Sequence, residues 1–224
     1  MRSRSPTKHS LMLELRMSVS PRPSPLLIEK PHNLGMAKSS TTPMRSRLER
    51  ARSAQNGIRL VRSIPGADVI EAYVLDVGSK WVLMAAVDEA RVDGYVAVRI
   101  RDVERIQPLK ADAFCRKASE RAGVWPPALP ADPIDLSTTR SLIETAHAHA
   151  TLVNLQIERE DPDVAFIGVP TRWSPKKLWL HEVSPQATWN DTDSKWPFAD
   201  ITRVEFSGTY ENDLLLVAGP PPDR

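Results

Sequence analysis

The chain has 224 residues, with 30 Lys and Arg against 28 Asp and Glu, so a formal charge of +2 excludes a polyanion or polycation taken as a whole. Its single cysteine, Cys115, excludes a disulfide scaffold and any zinc site built from several thiolates, and it points to a reducing, cytoplasmic setting. No uncharged apolar run approaches the roughly 18 residues of a membrane helix, so no membrane partner is expected.

The charge is unevenly spread. Residues 1–53 hold 11 Lys/Arg and 3 Asp/Glu, while the rest holds 19 and 25, which sets a basic segment of +8 before an acidic body of −6. The first segment also contains 10 Ser and 6 Pro. Such a composition buries too little apolar area to offset the entropy of ordering, so residues 1–53 read as a disordered tail. Glu14 and Arg16 interrupt its one apolar patch, which argues against a secretory signal. The tail could serve as an organelle transit peptide or as an arm for nucleic-acid phosphates. Internal methionines at Met36 and Met44 favour an unselected extension instead.

The body reads as two related blocks. In the first, residues 54–107, strands are expected over residues 69–77, 81–87 and 95–101, which are rich in Val, Ile and aromatics. Asp93-Gly94 between the last two supplies the positive φ of a tight hairpin. Strand alternation puts Val96, Val98 and Ile100 on one face and Tyr95, Arg99 and Arg101 on the other, which reads as solvent-facing. The second block, residues 152–219, repeats the plan with strands over residues 152–158, 164–169, 177–183 and 200–206, and a long polar connection over residues 184–196.

Three features support a repeat. Leu60-Val61-Arg62 matches Leu152-Val153-Asn154, and Ala67-Asp68-Val69 matches Pro162-Asp163-Val164. Each block closes on Asp, a β-branched residue, any residue, Arg, and a β-branched residue: Asp102 to Ile106 with Arg105, and Asp200 to Val204 with Arg203. Four or five short antiparallel strands per block predict a mainly β chain with helices (α+β), built as two tandem, strongly bent antiparallel sheets or barrels. Residues 108–151 form the linker, with helices expected over residues 109–122 and from about Leu136 to His149, the second capped by Ser137 or Asp135. A short closing helix over residues 210–217 precedes Gly219 and a flexible C-terminus at residues 220–224.

The run from Trp196 to Phe206, followed by Tyr210-Glu211, resembles the C-terminal segment of an uncharacterised family of bacterial proteins. Asp93-Gly94-Tyr95-Val96 before Asp102-Val103 is similar to the matching place in their first half. The resemblance spans roughly residues 58–217. It implies tandem Sm-like or SH3-like small barrels by analogy and assigns no activity.

Few residues suggest chemistry. Glu144, His147 and His149 have a metal-like spacing, but residues two apart on a helix point about 200° apart, so no metal site is expected. His181 and Glu182 with Asp191 and Asp193 offer an acid/base set without a visible cleft, the basis of a hydrolase reading. Cys115 has Arg116 and Lys117 beside it, which would lower its pKa, but it lacks a companion His and reads as a small buried hydrophobe. No glycine-rich phosphate loop or nucleophile elbow occurs, and no cofactor is expected.

Four tryptophans, Trp173, Trp179, Trp189 and Trp196, lie within 24 residues. Trp179 and Trp196 read as core. Trp173 and Trp189 sit among turn-forming residues, either as lids on a barrel end or as contact surfaces. The sequence thus favours a non-enzymatic protein-interaction module with Trp173, Trp189, Tyr95, Arg99 and Arg101 as partner contacts. The alternative is an RNA or single-strand binder using Tyr95, Arg99, Arg101, Lys176 and Lys177. Nothing in the residues speaks for or against self-association.

Overall fold

β-branched and aromatic residues recur in short runs through the body, and in a computed structural model of the chain these runs fall in ten antiparallel strands. The structure describes residues 43–88 and 90–222. The elements are α1 (Met44–Ala54), β1 (Gly57–Arg62), β2 (Ile70–Val77), β3 (Trp81–Asp88), β4 (Arg91–Arg99), β5 (Val103–Pro108), α2 (Asp112–Arg121), α3 (Thr139–His149), β6 (Val153–Gln156), β7 (Ala165–Trp173), β8 (Lys177–Glu182), β9 (Ser194–Pro197), β10 (Arg203–Phe206) and α4 (Thr209–Ala218). A single 3-10 turn, Ile100–Asp102, separates β4 from β5.

The strands form one sheet in the order β5-β1-β2-β3-β4-β10-β6-β7-β8-β9. The expected pair of separate sheets is therefore corrected: β4 pairs with β10 and fuses the two blocks edge to edge. An open edge in each block is satisfied by the other, so neither block has to close on itself. On either side of this joint the order is the same, β5-β1-β2-β3-β4 and β10-β6-β7-β8-β9.

The registers agree as well. Leu60 lies opposite Ile106 and Ile70, and Leu155 lies opposite Val204 and Phe166. The β2–β3 ladder shifts register between Val74 and Asp76, and the β7–β8 ladder shifts between Pro170 and Arg172. Leu60 and Leu155, and not Leu60 and Leu152, thus hold matching positions in the ladders, three residues from the pairing expected. The sequence match could not find this offset because Leu-Val occurs at both places and only the closing strand fixes the register.

Two strand expectations also shift. Asp93-Gly94 is not the hairpin turn, which falls between Asp88 and Arg91. Gly94 instead holds φ +65° inside β4, where an added Cβ would meet the Gly208 backbone at 2.6 Å. Asp93 Oδ1 accepts hydrogen bonds from the Thr209 N–H and hydroxyl, both at 2.8 Å, and so caps α4. The polar connection over residues 184–196 carries Trp189, which bridges back to Val183, and most of β9.

The tail expectation needs revision at its end. Residues 44–54 form α1, whose Leu48 is fully buried against β1–β4 and packs with Leu60, Val74, Val82 and Val98. Residues 1–42 lie outside the described residues. In the linker, α3 is capped by Thr138, which exchanges hydrogen bonds with Ser141, and not by Ser137 or Asp135. Leu142, Ile143 and Ala146 of α3 are fully buried with Trp81, Leu83, Ala97, Leu155, Val204 and Phe206, so the linker helix seals the joint between the blocks.

Candidate functional site

An antiparallel sheet that does not close leaves two edges, and here they are β5 and β9. Backbone alternation tells which groups face outward. The Leu109 N–H donates to Gly57 O on β1, so Ile106 and Pro108 point away from the sheet. The Ile106 carbonyl does so visibly, accepting from Arg47 Nη2 at 3.2 Å. At the other end the Phe198 N–H donates to Lys176 O on the β8 side, so Lys195 and Pro197 face outward. Pro108 and Pro197 lack an N–H, which shortens both edges to a few usable groups. Beside β5 lies a cleft of about 600 Å³ lined by Arg47, Arg50, Ala51, Ile58, Ile106 and Leu109.

The outer face of β8 carries Trp179. It is half-buried, with the Arg172 guanidinium 4.0 Å and the Lys177 ammonium 5.1 Å from its ring centroid. Its Nε1 has no hydrogen-bond partner among the described residues. The expectation that Trp179 is core is corrected: alternation places Leu178 and Leu180 inward, fully buried, and turns Trp179 to the opposite face.

The five residues expected to contact a partner separate widely. Arg99 is 7% exposed, lies 5.3 Å over the Trp81 ring and donates to the Phe198 carbonyl. Tyr95 stacks on Phe206 at 5.0 Å, meets His149 edge-on and donates to Ala128 O at 3.2 Å. The face carrying Tyr95 and Arg99 is therefore covered by the second block, not wet. Arg101 is exposed. Trp173 ends β7, half-buried, stacked with Phe198 and overlaid by Arg140 at 5.7 Å. Trp189 lies flat on His181, with centroids 5.1 Å apart, and donates to Gly219 O at 3.3 Å.

The repeated Asp and Arg residues also have distinct settings. Asp102 is buried and accepts from Arg159 Nη2 at 2.7 Å, tying the blocks together. The Asp200 N–H donates to Pro197 O at 3.1 Å in the turn before β10. Arg105 is exposed, and Arg203 donates to Glu205 at the same end of β10.

The groups considered for chemistry fall into separate structural pairs. His181 Nδ1 is 3.4 Å from the Asp193 carboxylate, whose other oxygen accepts from Thr171 at 2.7 Å. Glu182, the next residue, faces the other side of the strand and accepts from Ser194 and from Trp196 Nε1 at 3.1 Å. Burial pushes the Glu182 carboxyl up, offset in part by those two donors. The sheet thus divides His181 from Glu182 and Ser194. Along α3, His147 bonds Thr151 O at 3.1 Å while His149 packs on Tyr95 and Phe206. Among the described residues no group of three or more His, Cys, Asp or Glu could hold a metal ion. Cys115 is buried, and burial, with Glu71 and Asp112 adding to it, pushes its thiol up, against the lowering expected from Arg116 and Lys117.

No family model matches the chain, and no curated protein and no solved structure matches it either. No helix among the described residues is long and apolar enough to cross a membrane.

Proposed function

We propose that the chain is a non-enzymatic protein-interaction module. In this reading it holds two copies of one bent, five-strand unit of small-barrel type, Sm-like or SH3-like, fused through a shared ladder. The identical strand order and the matched register shifts support the tandem unit. One observation carries the function: each end of the sheet presents outward backbone groups, at Ile106 and at Lys195, with a cleft beside one and an aromatic on the face of the other. An added strand supplies affinity through main-chain bonds and specificity through such pockets. Arg101, Trp173 and Trp189 remain candidate contacts around these edges, and the single buried thiol fits a cytoplasmic setting.

Affinity capture tests this with the full chain as bait, since α1 belongs to the fold. Wild-type bait is compared with Ile106→Pro, which removes an outward N–H and leaves the β1 ladder intact. A protein retained after nuclease treatment and lost from the variant supports the module. Capture abolished by nuclease supports the RNA or single-strand reading, for which exposed Arg101 is the favouring feature. Capture indifferent to the variant overturns edge recognition.

A further inference from the structure

The joint between the blocks also defines a contact between molecules. It pairs Arg203 with Val98, Val204 with Ala97, Glu205 with Val96 and Phe206 with Tyr95. Each of those strands has a counterpart in the other block. Val82 pairs with Val98 as Leu178 pairs with Trp196, and Leu83 pairs with Ala97 as Trp179 pairs with Lys195. Val204 lies opposite Leu155 as Ile106 lies opposite Leu60. Thus β9 is the counterpart of β4, and β5 is the counterpart of β10. The two open edges of the sheet are the two halves of the joint that already exists inside it.

Building on the module reading, we propose that the partner is a second copy of the chain, whose β9 adds antiparallel to β5 with Lys195 opposite Ile106. The register is transferred residue by residue from Ala97 opposite Val204. It brings together two residues whose backbone groups face outward, as the matched registers require. Pro108 and Pro197 fall on either side of that central pair, each removing one N–H donor, so the main-chain bonding concentrates at Ile106 and Lys195.

The side chains make the same case. Inside the chain Leu83, on the outer face of β3, is 2% exposed because α3 covers it with Leu142, Ile143 and Ala146. Its counterpart is Trp179, half-buried and with an unpartnered Nε1. The counterpart of α3 is α1, which precedes β1 as α3 precedes β6, and the cleft beside α1 has room for the ring. Arg47 and Arg50 line that cleft and Arg172 and Lys177 flank the tryptophan, so like charges meet. Salt therefore strengthens this contact, whereas it weakens a phosphate contact. The association is head to tail, so each copy contributes a different edge and the step repeats.

Sedimentation of the full chain over a wide concentration range tests the proposal. The expected result is a mass rising above the 25.0 kDa of one chain, more so at high salt. Ile106→Pro or Lys195→Pro each weakens association roughly tenfold or more, since each removes a main-chain hydrogen bond and disturbs its neighbour. Because a proline variant could misfold, a second measurement uses Ile106→Cys and Lys195→Cys chains. Opposite residues in a ladder lie within disulfide reach, so a mixture of the two forms a mixed dimer under oxidation while neither forms it alone. A chain that stays at 25.0 kDa throughout and yields no mixed dimer overturns the proposal. If that monomer still captures an Ile106→Pro-sensitive protein, the module reading stands without it.

Discussion

Arg62, at the end of β1, and Glu158, just past β6, form an ion pair with side chains 0% and 1% exposed. Both terminal guanidinium nitrogens donate to the carboxylate, Nη1 to Oε2 and Nη2 to Oε1 at 2.6 Å, and the Thr202 hydroxyl adds a bond at 2.7 Å. The pair crosses from one block to the other, and Arg159 with Asp102 crosses in the opposite sense beside it.

Removing one partner leaves the other charge buried. Glu158→Gln is expected to cost about 3–5 kcal/mol in urea unfolding, while Arg62→Met with Glu158→Met recovers most of the loss. A cost below about 1 kcal/mol for the single variant would show that the pair does not hold the blocks together.

The place of α1 in the fold is tested by Leu48→Ala. A fully buried leucine truncated in a packed core costs about 2–5 kcal/mol, and the same change at Leu216, which is 80% exposed on α4, should stay within about 0.5 kcal/mol. Equal effects would mean that residues 44–54 do not belong to the core.

Arg99 and Arg101 share a strand face by sequence but not by burial. Arg99→Ala should cost about 2 kcal/mol or more, losing a buried hydrogen bond and a ring contact, while Arg101→Ala stays within about 0.5 kcal/mol. Denaturant midpoints at constant m-value make the comparison.

Glu211 sits buried in α4, accepting from Asn154 Nδ2 at 2.9 Å, and burial, with Glu205 nearby, pushes its carboxyl up. A carboxyl whose folded pKa is raised binds its proton more tightly in the native state, so it reduces stability above that pKa and ceases to do so as pH falls through it. Glu211→Gln is therefore expected to be more stable than wild type at pH values above neutrality, with the difference vanishing in mild acid. A gain that persists unchanged in acid would assign the effect to packing.

Strand positions were legible because their periodicity is local. Val96 and Val98 alternate with Tyr95 and Arg99 whatever covers them, and Gly219 marks the end of the closing helix without reference to anything distant. Alternation could not say which face is covered, because that depends on a strand more than a hundred residues away. Only the tertiary fold brings Phe198 to Arg99 and covers it, and brings Phe206 and His149 to the half-buried Tyr95, and only the register of β8 turns Trp179 outward where a run of Leu-Trp-Leu suggests core. The basic charge of residues 1–53 likewise hid Leu48, because one apolar residue packs a helix only when a core is already present to receive it. Composition and period thus determined the elements and their amphipathic faces, while long-range ladder formation decided what each face meets and which two edges stay open.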